Sequence, residues 1–305
     1  MMIDDFQHYL TISIADQHLW CPSPFTCGER LFVAVAAWPH ADFEGWRNAS
    51  KLHLFEITSL EDSNAKAIWL KEFRFEGSIY GSLINPRIMR SGNEFHLFCS
   101  GVVDSIYYEI AHALVDLKAD NAGTLSTLTI AGDGIPQGGQ GPTNPAPVHC
   151  ADGVWRMLFR VSTKVGGQRS LYAAQADDPA SRWNLIGAEP IIQGDLEDPF
   201  VWQDGTKHKA LVRDIGGTVS GFAWPTIGMM ETDDWTQWRP APKPHVSNRS
   251  IPQENGSIDV MYRLERPACL RWRGNTLMFF ACLAKKDTNA TIRVLALPAG
   301  NKGEG

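Results

Sequence analysis

The stretch Asp198-Pro199-Phe200-Val201-Trp202 is the clearest copy of a pattern that decides the fold of this chain. A polar residue and a proline open a short apolar run, a turn with Gly205 follows, and Ala210-Leu211-Val212 forms a second apolar run. The same order of features recurs along the chain. The five copies start at Ser23-Pro24, Asn85-Pro86, Asn144-Pro145, Asp198-Pro199 and Arg266-Pro267. An internal repeat of this length predicts an array of similar structural units.

The spacing of the copies indicates what each unit contains. Their prolines lie 54 to 68 residues apart, which leaves room for four short strands and their loops, the content of one propeller blade. Sustained helical periodicity is missing from the sequence. We therefore predict an all-β fold, a five-bladed β-propeller formed as one domain by residues 1–305. The third strands of the blades are predicted at 51–57, 106–114, 170–175, 226–231 and 291–297.

The N-terminal segment has a predicted role in closing the propeller. Residues 9–14 form an apolar stretch that precedes the first copy of the repeat. Pairing it with the last blade would remove an exposed sheet edge. We expect the ring to be closed in this way.

The prolines also indicate which residues face the centre. Proline donates no backbone hydrogen bond, so it suits the first residue of a strand or an edge strand, and the innermost strand of a blade is such an edge. The polar residues beside the prolines are then predicted to lie at the mouth of the central channel. They are Ser23, Asn85, Asn144, Asp198 and, one step further back, Glu265. Ser23 could equally be a simple polar strand cap, whereas two carboxylates converging on one axis suggest chemistry.

Composition and charge restrict the partners. The net charge is −6, the isoelectric point is near 5.8, and no basic run stands out, which argues against nucleic acid and anionic membranes. No apolar stretch approaches the roughly 20 residues that span a bilayer. The acidic opening Met1-Met2-Ile3-Asp4-Asp5 does not have the form of a secretory signal. We expect a cytoplasmic protein.

The six cysteines support the same expectation. None forms a C-x-x-C pair, and most lie in apolar strand-like runs, as buried reduced thiols do. A zinc site would need a tighter group of Cys and His. We predict no metal and no cofactor.

Two tripeptides resemble motifs of a known group of enzymes. Glu197-Asp198-Pro199 and Glu265-Arg266-Pro267 are similar to motifs of the five-bladed propeller glycoside hydrolases, namely the arabinanase and β-xylosidase group of family 43 and its distant, largely uncharacterised branch. The resemblance continues in the same order over Trp38-Pro39, Asn85-Pro86-Arg87-Ile88 and Asn144-Pro145-Ala146-Pro147-Val148. It implies a glycosidase that acts on an oligosaccharide in the central well. Glu265 would then be the general acid, and Asp198 would tune that acid and orient the sugar.

The chain departs from this group where the general base is expected. The arabinanase group has an aspartate at the opening of the first blade, where this chain has Ser23. Inverting glycosidases need a carboxylate that activates water, with the two carboxyl groups about 6.5–9.5 Å apart. Asp42 is the candidate base, and Glu44 in the same loop is a second one.

Further residues are candidates for substrate binding. Arginine suits planar oxyanions, although the arginines could equally be ion-pair partners of the carboxylates in the well. Indole rings can stack on sugar rings, although most tryptophans are core residues. The candidates are Asn85, Asn144, Arg87, Arg213, Arg266, Trp38, Trp46 and Trp202.

Three functions remain open at this point. The first is hydrolysis of a glycosidic bond, with inversion. The second is phosphorolysis, in which arginines bind phosphate and no protein base is needed. The third is a sugar-binding propeller without catalysis. Each has a small carbohydrate as its partner.

Overall fold

The computed structural model describes residues 2–58, 65–136, 139–222 and 224–297. Five sheets, antiparallel apart from one two-residue strand in the third, are arranged as the blades of a propeller, as predicted. Each blade runs from an inner strand at the axis to an outer strand at the rim, because consecutive strands pair with one another. The apolar faces of adjacent blades pack together and form the core.

The strands of the blades are as follows. Blade 1 consists of Gln17–Cys27, Arg30–Pro39, Lys51–Ile57 and Ala67–Glu72. Blade 2 consists of Ser82–Ser91, Glu94–Val103, Tyr107–Leu114 and Ser126–Thr127. Blade 3 consists of Thr143–His149, Trp155–Ser162, Arg169–Ala176 and Trp183–Leu185, with Ile130–Ala131 added in parallel. Blade 4 consists of Leu196–Asp204, Lys207–Asp214, Thr226–Thr232 and Arg239–Ser247. Blade 5 consists of Arg263–Trp272, Asn275–Leu283, Thr291–Leu297 and the N-terminal strand Gln7–Ile12.

The N-terminal strand closes the ring. Gln7–Ile12 pairs antiparallel with Thr291–Leu297, so blade 5 is assembled from both ends of the chain. The prediction of closure is confirmed, with a strand that begins two residues earlier than expected. The five third strands also lie at the predicted positions, within two residues.

Little else is regular in the described part of the chain. The helical turns are Ile3–Asp5, Phe43–Gly45 and Trp46–Ala49. Two small ribbons pair Arg74–Glu76 with Asn121–Thr124 and Ser250–Pro252 with Ile258–Val260. No helix among the described residues is long and apolar enough to cross a membrane. All six cysteines are free thiols, and five of them are buried.

The prediction that the prolines begin the inner strands is wrong. Each proline lies inside its inner strand, directly after a bulge. In each inner strand the pairing register shifts at the residue before a proline. That residue has φ between 54° and 58° in all five blades, a left-handed conformation that is uncommon outside glycine. A bulge leaves extra residues unpaired and re-aims their side chains. The five bulged residues, named the floor ring below, are Cys21, Asn85, Asn144, Asp198 and Arg266.

The bulge corrects the predicted frame of blade 1. Its left-handed residue is Cys21, before Pro22, and not Ser23, before Pro24. Two X-Pro pairs follow one another here, and the sequence alone does not say which one carries the bulge. Ser23 is buried below the floor ring, where its hydroxyl accepts a hydrogen bond from the backbone N–H of Ile88 in blade 2. It therefore ties two blades together instead of facing the channel mouth.

Candidate active site

The floor ring joins the five inner strands through side chains. The Cys21 thiol donates to Asn85 Oδ1 at 3.0 Å, and Asn85 Nδ2 donates to Asn144 Oδ1 at 3.4 Å. Asn144 Nδ2 donates to Asp198 Oδ1 at 2.5 Å, and the Arg266 guanidinium pairs with the same carboxylate. Because each contact crosses from one blade to the next, the ring fixes the spacing of the inner strands around the axis.

The residue before each floor-ring residue points the other way, into a cavity of about 270 Å³. These five residues, named the well ring, are Trp20, Ile84, Thr143, Glu197 and Glu265. The proline bulge thus sorts adjacent residues into two layers. All five well-ring residues line the well, whereas the floor-ring residues link the inner strands to one another, and of these Cys21, Asn144 and Arg266 also border the cavity.

An aromatic wall forms the side of the well at blades 1 and 2. Trp20, Phe43, Trp46 and Tyr108 line the cavity together with the edge of the buried Trp38. Trp46 stacks nearly parallel on Tyr108, with ring centroids 6.3 Å apart. The loop that carries Phe43 is held by the Trp38 indole N–H, which donates to the Phe43 carbonyl at 3.1 Å. Rigid aromatic rings of this kind suit the apolar faces of sugars.

Glu197 lies on the opposite, charged side of the well. Its carboxylate is buried and pairs with Arg213, with Arg160 at 3.4 Å and with Arg169 at 3.5 Å. Burial by itself would raise the pKa of Glu197. The arginines, with Arg213 first among them, outweigh burial and hold that pKa well below its usual range. Glu197 is therefore a fixed negative charge.

Glu265, the other glutamate of the well ring, has fewer ionic partners than Glu197. Its Oε1 lies 2.9 Å from Arg213 Nη2 and 3.8 Å from Arg263 Nη1. Among the described residues its side chain accepts no hydrogen bond of good geometry, and Oε1 is buried without such a partner. Arg213 consequently bridges the two glutamates of the well ring, but Glu197 has two further arginines within 3.5 Å, whereas Glu265 has only Arg263 at 3.8 Å.

Asp198 lies underneath the two glutamates. The nearest carboxylate oxygens of Glu197, Asp198 and Glu265 all lie within 4.8 Å of one another. Burial raises the pKa of Asp198 to about 6, and the charges of the two glutamates add to that effect, whereas Arg266 opposes it. Asp198 does not line the main cavity. Asp198 can therefore influence a reaction in the well only through Glu197, Glu265 and Arg266.

The three carboxylates form a group of the kind that can hold a metal ion. Hard cations such as Ca²⁺ and Mg²⁺ prefer oxygen ligands. Here, however, Arg213 lies between the two glutamates, and Arg266 contacts Asp198. A cation would have to displace these guanidinium groups, so the cluster fits ion pairing better than metal binding.

Cys21 occupies the floor-ring position of blade 1, which corresponds to that of Asp198 in blade 4. Burial raises the pKa of the Cys21 thiol to about 11. A neutral thiol cannot replace a carboxylate that activates water. The first blade therefore supplies no base from its inner strand.

The predicted site residues divide into two groups. Those that line the cavity are Glu265, Asn144, Arg213, Arg266, Trp38 and Trp46. Those that do not line it are Asp198, Asp42, Asn85, Arg87 and Trp202.

The second group has structural contacts instead. The Arg87 guanidinium lies below the floor ring and donates to the carbonyls of Pro22 and Pro199. Trp202 packs on the core between blades 4 and 5. Asp42 accepts a hydrogen bond from the backbone N–H of Glu44 and so caps the turn that follows.

Sequence reasoning missed several residues that line the well, above all Glu197. A signal for it was present, because Glu197-Asp198-Pro199 and Glu265-Arg266-Pro267 align as Glu-x-Pro when counted back from proline. Others are Trp20, Ile84, Thr143, Phe43, Arg47, Tyr108, Gln140 and Arg169. Trp20, Ile84 and Thr143 belong to the well ring in the inner strands, whereas the rest come from loops and neighbouring strands, for which no repeat-based signal existed.

Comparison with known proteins supports the fold. Neither a protein-family model nor a curated protein matches the sequence. Among solved structures, the α-L-arabinofuranosidase PaAbf62A from Podospora anserina, in complex with cellotriose, superposes with a TM-score of 0.67 at 10% identity, covering 97% of this chain and 98% of that one. A thermostable family-43 glycoside hydrolase gives 0.66 at 13% identity, covering 94% and 91%.

A third solved structure extends this picture. The GH43_1 enzyme from Xanthomonas citri, complexed with xylotriose, gives a TM-score of 0.61 at 10% identity, covering 94% of this chain and 89% of that one. At such identities a likeness establishes the fold alone. The chain thus shares the five-bladed propeller fold of glycoside hydrolases over nearly its whole length.

Proposed function

We propose that this protein is a glycoside hydrolase that cleaves an oligosaccharide in the well, with Glu265 as the general acid. The observation that carries the proposal is the pair of buried glutamates, Glu197 and Glu265, facing an aromatic wall across one cavity. Paired carboxyl groups are the machinery of most glycosidases. The fold neighbours that hold cellotriose and xylotriose support a carbohydrate substrate.

Glu265 suits the acid role better than Glu197 does. A general acid must carry a proton before it can protonate the leaving oxygen. Glu197 is held ionised by several arginines, and its low pKa excludes that role at neutral pH. Glu265 is free of hydrogen bonds from the described residues and opens on the same cavity.

Glu197 and Asp198 support the reaction in different ways. The transition state of glycoside cleavage resembles an oxocarbenium ion, and the permanent negative charge of Glu197 would stabilise it. Asp198 is a positioning residue, because it orients Arg266 through an ion pair and through the backbone N–H of Arg266 at 3.2 Å.

The candidate base of an inverting reaction is chosen by which carboxylate lines the well. Inversion needs carboxyl groups about 6.5–9.5 Å apart, whereas oxygens of Glu197 and Glu265 approach within 4.8 Å. An inverting mechanism therefore needs another carboxylate, and Glu44 lines the well whereas Asp42 does not. For the proposed inverting reaction, Glu44 is therefore the candidate base. Glu44→Gln should then abolish most activity while Asp42→Asn, which keeps the turn cap, should retain it; the reverse result would favour the original candidate.

The proposal is tested by activity on a panel of oligosaccharides and aryl glycosides. Glu265→Gln should lose hydrolysis of every oligosaccharide that the parent cleaves. Glu231→Gln is the matched control, because Glu231 is an equally buried glutamate with two cationic partners, Lys207 and Arg239, that does not line the well. Full activity of Glu265→Gln, or equal loss in both variants, would refute the proposal. Proton NMR of the first-formed anomer reports inversion or retention.

Phosphorolysis is the second candidate function. It is favoured by the arginines that line the cavity and by the neutral thiol at the floor-ring position of blade 1. A phosphorylase would release a sugar phosphate only when inorganic phosphate is present. Phosphate-dependent cleavage of the same panel would decide in its favour.

A further inference from the structure

The well differs in charge from the rest of the molecule. The chain as a whole carries −6, yet six arginines and only three glutamates line the cavity. Two further carboxylates, Asp195 and Asp198, contact these arginines from outside the lining. Six guanidinium groups thus face five carboxylates, so the well is locally cationic in an acidic protein.

Arg263 is the least neutralised of the six. Its Nη1 lies 3.8 Å from Glu265 Oε1, which is too long for a hydrogen bond. Within the described part of the chain, its side chain makes no hydrogen bond. The guanidinium lies over the Phe43 ring at 4.7 Å and is 37% exposed. A stacked guanidinium is held in place while its N–H groups stay available to a planar oxyanion.

The proposed chemistry makes this excess of positive charge larger. When Glu265 carries the proton that a general acid needs, six guanidinium groups face four carboxylates. Arg213 Nη2 and Arg263 Nη1 then lose the one charge that they share. Arg213 keeps Glu197 as a partner, whereas Arg263 then has no paired carboxylate among the described residues. The working state of the well therefore has a place for one external negative group.

We propose that the substrate is an acidic oligosaccharide whose cleaved sugar carries a carboxylate that binds between Arg213 and Arg263. This inference rests on the proposed role of Glu265, since the charge is unmatched most strongly when that acid is protonated. The oxyanion replaces Glu265 as the partner of the two arginines.

Direct binding tests the inference without any turnover. The probes are D-glucuronate and D-galacturonate, with D-glucose and D-galactose as neutral counterparts and inorganic phosphate alone as the free oxyanion, titrated by calorimetry or NMR. We expect at least one uronate to bind about tenfold or more tightly than its neutral counterpart, the effect of one charge-assisted hydrogen-bonded contact. Glu265→Gln, which removes the competing carboxylate, should bind that uronate more tightly than the parent.

Variants of two arginines locate the site. Arg263→Met should remove the preference for the uronate, and Arg263→Lys should keep part of it. Arg273→Met is the matched control, because Arg273 is 38% exposed, lies over the Trp272 ring at 5.0 Å and pairs with Glu29 at 3.6 Å, outside the well. It should bind like the parent. Thermal unfolding of each variant verifies that it is folded.

Each other outcome overturns the inference. Uronates that bind no better than neutral sugars, or a preference that survives Arg263→Met, would show that the arginines serve only the carboxylates of the well. Binding of phosphate without binding of either uronate would assign the oxyanion to a free co-substrate. Hydrolysis that depends on Glu265 while uronates fail to bind would overturn this inference alone, and the proposed function would stand.

Discussion

The inner strands of blades 4 and 5 carry the same local arrangement and use it differently. In Glu197-Asp198-Pro199 and Glu265-Arg266-Pro267 the middle residue is left-handed, the first faces the well, and the middle one belongs to the floor ring. The middle residues are of opposite charge and pair with each other across the two blades. The ion pair between the side chains at these equivalent positions thus links blades 4 and 5.

Glu197 and Glu265, the first residues of these two tripeptides, have the same side chain but different ionic partners. Glu197 pairs with three arginines and is a fixed anion, whereas Glu265 shares Arg213 with it and has only a distant second partner in Arg263. Two glutamates at equivalent positions are thereby given different roles. Pairs of titratable groups with different environments are how a protein assigns an acid and an anion in one site.

The largest expected difference between the two glutamates concerns the leaving group. Glu265→Gln should lower turnover by about 10²–10⁴ for oligosaccharides, the usual contribution of a general acid. For aryl glycosides with an acidic phenol, which needs no proton, its loss should be much smaller. Glu197→Gln should lower turnover by a similar factor for both substrate classes, because charge stabilisation does not depend on the leaving group. If Glu265→Gln lost the same factor in turnover for both substrate classes, Glu265 would not be the general acid.

The next difference concerns stability. Glu197→Gln leaves three arginines without their common carboxylate, and removing one partner of a buried ion pair typically costs about 3–5 kcal/mol. Glu265→Gln should cost clearly less, because Arg213 retains Glu197. Urea denaturation of the two variants measures both free energies of unfolding. Equal losses would show that the arginines do not distinguish the two glutamates.

The smallest effect is on the titration of Asp198. Its pKa of about 6 lies above the ordinary 3.8, so the folded protein binds this proton more tightly than the unfolded chain does. Its contribution to the free energy of unfolding is therefore present below about pH 4 and is lost as the pH rises through about 6. Carbon-13 NMR of the carboxyl should show a midpoint near 6, and a lower one in Glu265→Gln, because a like charge is gone. An unchanged midpoint in that variant would contradict the coupling.

The substrate-facing walls of the well were only partly predictable. Trp38 and Trp46 were expected from their place beside the first repeat, and both line the cavity. Tyr108 reaches it from the third strand of blade 2, and Phe43 from a loop turn. Their approach depends on how blades pack, which no local pattern encodes.

The sequence by itself determined the architecture. Five X-Pro copies predicted five blades, apolar runs placed the third strands, and the N-terminal stretch predicted ring closure, all of which the structure has. These features depend on local signals, namely proline chemistry and apolar alternation, that a single chain displays directly.

Only the tertiary structure decided which side chain beside each proline enters the well. Because successive side chains of a strand point to opposite sides, a one-residue shift exchanges the well for the floor. The bulge makes that shift, so that Glu197 faces the cavity while Asp198 pairs with Arg266 beneath it, and Cys21 takes the place predicted for Ser23. The position of the bulge depends on pairing with the neighbouring strand and on partners from other blades. Those contacts exist only once the ring has closed.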